Sequence, residues 1–545
     1  MEENIQDLIA DLIRRALSQL DLDETSDVDI ELDFPSDARF GDFSTNLPLQ
    51  LSKLLKRPPK EIASEIVGRI KEALPQGKLG PYIKEIKTEG AGFINFYLEE
   101  KYFLEQLAAL VKKGKDGLRQ NLGKGRKVLI EFVSANPTGW LSVAHARQAA
   151  VGDCLGNILS FLGFEVKKEY YLNDEGNQIE ILGRSVELRM RELDGEKIEF
   201  PENYYQGDYI YDIAKKAKNE EGKITHLGDY AAQYILGIIK KELYDFGVTF
   251  DYWYSQKQLR ESGKIDEALG FLKQKGYIYE EDGALWFKSS AFGDDKDRVV
   301  VKSDGSYTYL APDIAYHQDK YKRSFQWLIN LWGPDHHGYI NRLKAAVEAL
   351  GYPADSLSII IVQLSTIFRN GRPIQMSTRK GQYITLREVL TEVGRDAFRF
   401  FFLMRRTSSH LDFDLDIAKK ETAENPVYYI QYAYARICSI LRSAGAELSV
   451  DVRWQLLTED EEVVLIKKIL RFPVILRMCL NMQDPFMLTV YLQELAEAFH
   501  KFYDQHRVLV EDKELSAARL MLIKAVRIIL DTGLELMNVS RPEKM

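Results

Sequence analysis

Three stretches of the 545-residue chain gather side chains able to handle a phosphorylated ligand. Ser134 to Arg147 reads SANPTGWLSVAHAR, a loop that leaves the strand-like run VLIEFVS and enters a helical pattern near His145. A loop at the carboxyl end of a parallel strand, feeding a helix N-terminus, presents free backbone N–H groups and positive dipole potential to phosphates. The imidazole of His145 adds a donor for charge developing on a phosphate oxygen. Considered alone, a histidine at a helix start more commonly caps or packs. Trp332 to Tyr339, WGPDHHGY, follows another strand-like segment and puts His336 and His337 near His317, Asp313 and Asp335. Adjacent histidines on one strand-to-helix turn do not readily face one ion, and no further ligands stand at zinc-type spacing, so no structural metal is expected. Hydrogen bonding to a ligand is the functional reading there, and packing within the turn is the alternative. The third stretch, PIQMSTRKGQYITL from Pro373, sets Arg379 and Lys380 beside Ser377, Thr378 and Gly381. Such a loop suits closure over a triphosphate and offsets charge on a leaving pyrophosphate; an ordinary charged surface turn is the alternative.

The elements that must carry these loops follow from hydrophobic period. The run VLIEFVS at Val128, its loop, a helix from about His145 and the strand-like FEVKKEYYL at Phe164 to Leu172 form the repeating unit of a parallel α/β sheet. WLINLWG (Trp327 to Gly333) and LSIIIVQL supply two further strands. Residues 200 to 290 are tyrosine-rich and mixed, and read as an insertion. Before the sheet, Ile5, Leu8, Ile9, Leu12 and Ile13 recur at helical spacing. A second helix is expected from Pro59, and YIKEIKTEGAGFINFYL from Tyr82 reads as two strands about a glycine turn. That order fits a small α+β domain over residues 1–115. The catalytic-type sheet then spans 116–375, a connecting segment 376–420, and a helical region 421–545. Lys112 to Lys127 contains seven Lys or Arg, four Gly and one Asp, a linker by composition and a candidate phosphate-facing seam, with a solvated hinge as the alternative.

Composition narrows the class. Hydrophobic residues at 45% and aromatics at 11% are enough for true cores, so large-scale disorder is not expected. A net charge of −9 excludes a uniformly basic nucleic-acid coat but permits a local basic patch. Cys154, Cys438 and Cys479 stand far apart with no CxxC pair, which argues against a disulfide scaffold. No segment reaches the ~20 apolar residues of a membrane helix, and the N-terminus lacks the order of a signal peptide. A cytoplasmic protein is expected.

In chain order the three stretches resemble the HIGH motif, the GxDHH turn and the KMSKS loop of class I aminoacyl-tRNA synthetases. The neighbouring text is similar to arginyl-tRNA synthetases in particular: EFVSANPTG, FGDDKDRVVVKSDGSYTYLAPDIAYH, LWGPDHHGYINR and RRTSSHLDFDLDIAKKETAENPVYYIQYAYARI. GDFSTNLPLQLSK and GAGFINFYL resemble the N-terminal extra domain of that family, and the closing RPEKM its C-terminal end. The resemblance covers essentially the whole chain.

It implies an α/β fold, a Rossmann-type parallel-sheet catalytic domain flanked by an N-terminal α+β domain and a C-terminal all-α anticodon-binding bundle. It implies activation of L-arginine with ATP and Mg2+ to an adenylate, then transfer to the 3′ end of tRNA(Arg), by a monomer. The implied catalytic and ATP-binding residues are Ser142, Ala144, His145, Met376, Ser377, Thr378, Arg379 and Lys380. The implied arginine pocket is Glu131, Asn136, Tyr309 and Asp313, with Asp335 or His336 as a polar group of the PDHH turn. A guanidinium presents five donors in a planar fork and calls for carboxylate acceptors, which lysine or citrulline would leave mismatched. The implied tRNA contacts are Phe43, Asn46, Tyr428, Tyr432, Tyr434, Arg436 and Met545. For each tyrosine, interhelical packing is the alternative to base stacking.

The chain departs from the family pattern at the ATP site. Where the family has His-Val-Gly-His, this chain has Ser142-Val143-Ala144-His145, losing one imidazole and adding a methyl group. Gln375 to Arg379 replaces both KMSKS lysines, and Thr138-Gly139-Trp140 holds no compensating lysine. The alternative reading is a synthetase paralogue that binds tRNA or arginine without adenylation.

Overall fold

A computed structural model of the protein describes residues 5–19, 28–35, 37–220, 222–374, 383–445 and 451–545. The chain forms two compact units: Met1–Gly117 with Glu447–Leu470 and Arg507–Ala525, and Leu118–Ala446 with Arg471–His506 and Val526–Met545.

In the first unit the helix Ile5–Ser18 buries Ile5, Ile9, Leu12, Ile13 and Ala16 on one face, as their spacing requires. It packs on the helix Pro59–Ala73, which opens on a proline and buries Ile62, Ile66 and Ile70. The second helix lies on an antiparallel sheet in which Phe93–Leu98 runs between Phe43–Thr45 and Ile83–Glu89. Gly92, at φ 127°, closes the turn between the last two strands, and a Cβ there would lie 2.9 Å from the Pro59 backbone.

The second unit is built on five parallel strands: β1 (Lys127–Glu131), β2 (Glu165–Leu172), β3 (Tyr252–Ser255), β4 (Trp327–Trp332) and β5 (Leu357–Ile361). Their order is β5–β4–β1–β2–β3. Val128, Leu129 and Ile130 are buried without alternation, as expected for a strand covered on both faces. The helix α1 (Val143–Phe161) connects β1 to β2, and Gly152 lets it sit against Phe132, whose ring would lie 2.3 Å from an added Cβ. The helix α2 (Leu310–Lys322) precedes β4. Strand order reverses between β1 and β4, so the carboxyl ends of these two strands frame the crevice where such sheets hold ligands.

The stretch 200–290 is not wholly an insertion, because its Tyr252–Ser255 is the edge strand β3. The short YWYS run has no apolar periodicity of its own to reveal this; pairing with β2 makes it a strand. Beyond it, Ile278–Glu281, Ala284–Phe287 and Arg298–Val301 form a separate antiparallel sheet. The C-terminal part of this unit is helical, with α3 (Pro426–Ser443) packed on α4 (Phe486–Gln505).

A buried ion network fixes α1 in place. Asp153 accepts from Lys168 Nζ and from Arg399, each at 2.5 Å, and Arg399 also donates to the Met537 carbonyl. Burial pushes the Asp153 carboxyl up, but Arg399 and Lys168 outweigh it and hold the group below its usual value.

Candidate active site

The backbone leaves β1 in an unusual conformation. Val133 and Ser134 have φ of 70° and 40°, values a β-branched residue rarely adopts, at a cost of about 1–3 kcal/mol each. The turn aims Ser134 back at the strand: its hydroxyl donates to Glu131 Oε1 at 3.1 Å and accepts the Tyr171 N–H. The following loop is braced by three tyrosine hydroxyls. Tyr170 donates to the Ala135 carbonyl, Tyr209 to Thr138 and Tyr383 to Trp140. Asn136 donates to Gln178 Oε1 at 2.8 Å.

Helix α1 begins with a reciprocal cap. Ser142 is its N-cap, and the Ser142 backbone N–H donates to His145 Nδ1 at 3.1 Å while its hydroxyl lies 3.2 Å from the same nitrogen. An accepting Nδ1 leaves the proton on Nε2. Burial pushes the imidazole down to about 4, so the ring is neutral at physiological pH and offers an N–H rather than a charge. Capping and ligand donation are thus compatible roles for His145. Ala144 is half-buried in the same first turn.

The third predicted loop returns to this point. Leu386 N–H donates to the Leu141 carbonyl at 2.8 Å, Val143 N–H to Ile384, and Ser142 bridges Thr385. Met376, Ser377, Thr378, Arg379 and Lys380 lie outside the described residues.

The predicted guanidinium pocket lies beside the carboxyl end of β1. Asp313, in the first turn of α2, accepts the Tyr339 hydroxyl at 2.6 Å. Burial, reinforced by Glu131, pushes its carboxyl up to about 7, against the pull of Tyr339 and Lys320. Glu131 is 7% exposed and accepts Lys320 Nζ at 2.6 Å. Tyr171 and Tyr316 stand with ring centroids 4.5 Å apart, and the Tyr171 hydroxyl donates to Gln256. Glu131 is thus paired with Lys320, while Asp313 has a neutral hydroxyl as its partner and aromatic faces lie nearby.

Three of the predicted pocket residues, Tyr309, Asp335 and His336, are solvent-exposed. Tyr309 is 80% exposed at the N-cap of α2. Asp335 and His336 are exposed on the 3-10 turn Pro334–Tyr339 and pair with each other at 3.3 Å. That turn reaches Asp313 through Tyr339, which sequence reasoning passed over although it ends the WGPDHHGY run. Lys320 was also missed; its signal is the i, i+4, i+7 spacing of Asp313, His317 and Lys320 along one helix face.

On the C-terminal helices, Tyr428, Tyr432 and Arg436 of α3 meet His500 and Tyr503 of α4 around a groove of about 440 Å³. Tyr428 and Tyr432 are parallel within 7°, and Arg436 lies over both Tyr432 and Tyr503 at 4.8 and 4.9 Å. Tyr434 does not join them: residues 428, 432 and 436 share a face at four-residue spacing, and Tyr434 turns inward, 7% exposed, toward Asp531. Met545 is exposed. In the N-terminal unit Phe43 is 5% exposed and packs on Phe34, so its ring is core. Asn46 accepts from Gln50.

Residues 106–402 match the family "tRNA synthetases class I (R), catalytic domain", residues 7–98 "Arginyl tRNA synthetase N terminal domain" and residues 430–545 "DALR anticodon binding domain". The arginine–tRNA ligase of Geobacillus kaustophilus is 46% identical over 99% of each chain, and that of Geobacter sp. strain M21 is 46% identical over 95% of each. The solved Thermus thermophilus arginyl-tRNA synthetase shares the fold, with a TM-score of 0.80 at 21% identity over 99% of this chain and 100% of that one. With matches spanning all three regions and relatives 46% identical over nearly the whole chain, this chain belongs to the arginyl-tRNA synthetases of class I.

Proposed function

We propose that the protein is an arginine–tRNA ligase. The observation that carries this reading is the pocket formed by Asp313, Tyr339 and Glu131 beside the loop that leads into the Ser142–His145 cap. The arginine side chain enters with its guanidinium on Asp313, a charge-assisted contact of about 1.5–3 kcal/mol. Its carboxylate then attacks the α-phosphate of ATP, and pyrophosphate leaves. His145 Nε2–H donates to the phosphate chain, and Ser142 adds a neutral hydroxyl where the family has a second imidazole. Arg379 and Lys380 offset charge on the leaving pyrophosphate, and Mg2+ arrives with ATP. A hydroxyl of the terminal tRNA ribose next attacks the adenylate carbonyl, releasing AMP. Tyr428, Tyr432 and Arg436 offer stacking faces and a cation to unpaired anticodon bases.

Charging of total tRNA with labelled arginine and MgATP, with lysine as control, tests this reading. Arginine-specific, stable aminoacyl-tRNA is expected. A folded protein that binds tRNA and arginine yet charges none is the non-adenylating paralogue, the reading suggested by Ser142 and Ala144.

A further inference from the structure

Beneath the pocket a cation is buried that the reaction itself does not call for. Lys320 is fully buried, its Nζ donating to Glu131 Oε2 at 2.6 Å and Asn330 Oδ1 at 3.1 Å, and lying 4.1 Å from the Tyr316 ring centroid. Asn330 in turn donates to His317 Nε2, whose other nitrogen donates to the Asp313 carbonyl. That chain of bonds makes His317 neutral and ties Lys320 to the backbone that carries Asp313. We propose that Lys320 is a positioning residue for arginine recognition, cancelling the Glu131 charge so that Asp313, held only by the Tyr339 hydroxyl, is biased toward the carboxylate that receives a single guanidinium.

The charge arithmetic favours this over a purely structural ion pair. Without Lys320 the pocket would hold Glu131 and Asp313 as two neighbouring buried anions, and one of them would take up a proton. Among the described residues, the other groups around Asp313 are neutral or anionic except Arg342, whose guanidinium lies over the Tyr339 ring at 4.9 Å. These are Glu131 on β1, Tyr171 on β2, Tyr339 from the turn, Arg342 beyond Tyr339 on the helix Ile340–Ala349, and His317 on α2. Lys320 is the cation that pulls Asp313 toward its charged form. A protonated Asp313 cannot accept a bidentate guanidinium, so loss of Lys320 is read as a pH effect on arginine binding.

The inference rests on the arginine pocket named above. Its test is the arginine dissociation constant of the full-length protein by calorimetry from pH 6 to 9, with kcat/KM for charging followed in parallel. In the wild type, affinity is expected to fall on the acid side of about 7. Lys320→Met is expected to move that acid limb up by about one pH unit or more, so that the loss of affinity is largest near pH 7 and smallest at pH 9. Glu131→Gln, which leaves Lys320 uncompensated, moves the limb down, and the double variant restores it near its original place. If Lys320→Met does not fold, the Glu131→Gln shift and the double variant decide. A loss equal at every pH, or a limb that stays put in all three variants, overturns the proposal. Wild-type protein that binds arginine but charges no tRNA would sink the ligase reading while leaving this inference intact. Wild-type protein that binds no arginine would overturn both.

Discussion

The Ser142 backbone N–H donates to His145 Nδ1 at 3.1 Å, so the cap of α1 and the tautomer of the imidazole are one arrangement. The proton is left on Nε2, and burial keeps the ring neutral down to about 4. His145→Ala should therefore lower kcat about 10²–10³-fold, the usual loss for one donor to developing charge. Arginine KM should hardly change, and loss of the cap should cost about 1 kcal/mol of stability. Because the folded value lies below the ordinary histidine value, the His145 contribution to stability falls as pH drops from about 6.5 to about 4. No inflection from His145 should appear in kcat between pH 6 and 8; one that vanishes in the alanine variant would contradict the neutral-donor role.

Tyr339→Phe removes the hydroxyl that donates to Asp313. That bond favours the ionised carboxylate, so the variant's acid limb for arginine should move to higher pH than in the wild type. Arginine KM at pH 7 should rise about tenfold, in the range of one charge-assisted bond. Steady-state charging at pH 7 and pH 9 checks this, and a KM change equal at both pH values would speak against it.

The methyl of Ala144 stands where the HIGH motif that this stretch resembles has glycine. Ala144→Gly should lower ATP KM if the methyl crowds the adenine, by an amount set by overpacking of about 1–3 kcal/mol. Against this gain, glycine in a helix costs about 1 kcal/mol. Pyrophosphate exchange measured against ATP concentration, in the presence of tRNA, separates tolerance from crowding.

Asp153→Ala leaves Arg399, fully buried, without its carboxylate. Such a broken buried pair should cost about 3–5 kcal/mol, seen as a clear fall in Tm. Asp153 is held below its usual value, so its stabilising contribution is present above about pH 4 and is lost as pH falls through the folded value. Thermal melts at pH 7 and at about pH 2 should therefore differ more for the wild type than for the variant.

On α3, Tyr432→Ala and Arg436→Ala should each weaken tRNA binding, Tyr432 by about 1–3 kcal/mol if it stacks on a base. Tyr434→Ala should instead lower Tm with a smaller effect on tRNA affinity, because its ring is buried. Filter binding at fixed ionic strength, alongside melting curves, separates the two classes.

Much of this protein is legible without coordinates. The apolar period of Ile5 to Ile13, the unalternating run of β1 and the loop at Ser134 to His145 are local patterns, and each marks its element because periodicity and capping act within a few residues. The pairing of YWYS with β2 is a different matter, since the strand exists only through a partner about 80 residues away. So is the direction a side chain takes. Phe43 and Tyr434 lie in stretches that resemble tRNA-contacting segments, yet packing turns both rings into the core. Asp335 and Tyr339 stand four residues apart on one short turn, and tertiary structure alone decided that the tyrosine reaches Asp313 while the aspartate faces solvent. The charge of the proposed arginine pocket was likewise settled in space. Glu131 and Lys320 are 189 residues apart in the chain, and a carboxylate's partner in a low-dielectric interior is chosen by what the fold brings within 2.6 Å.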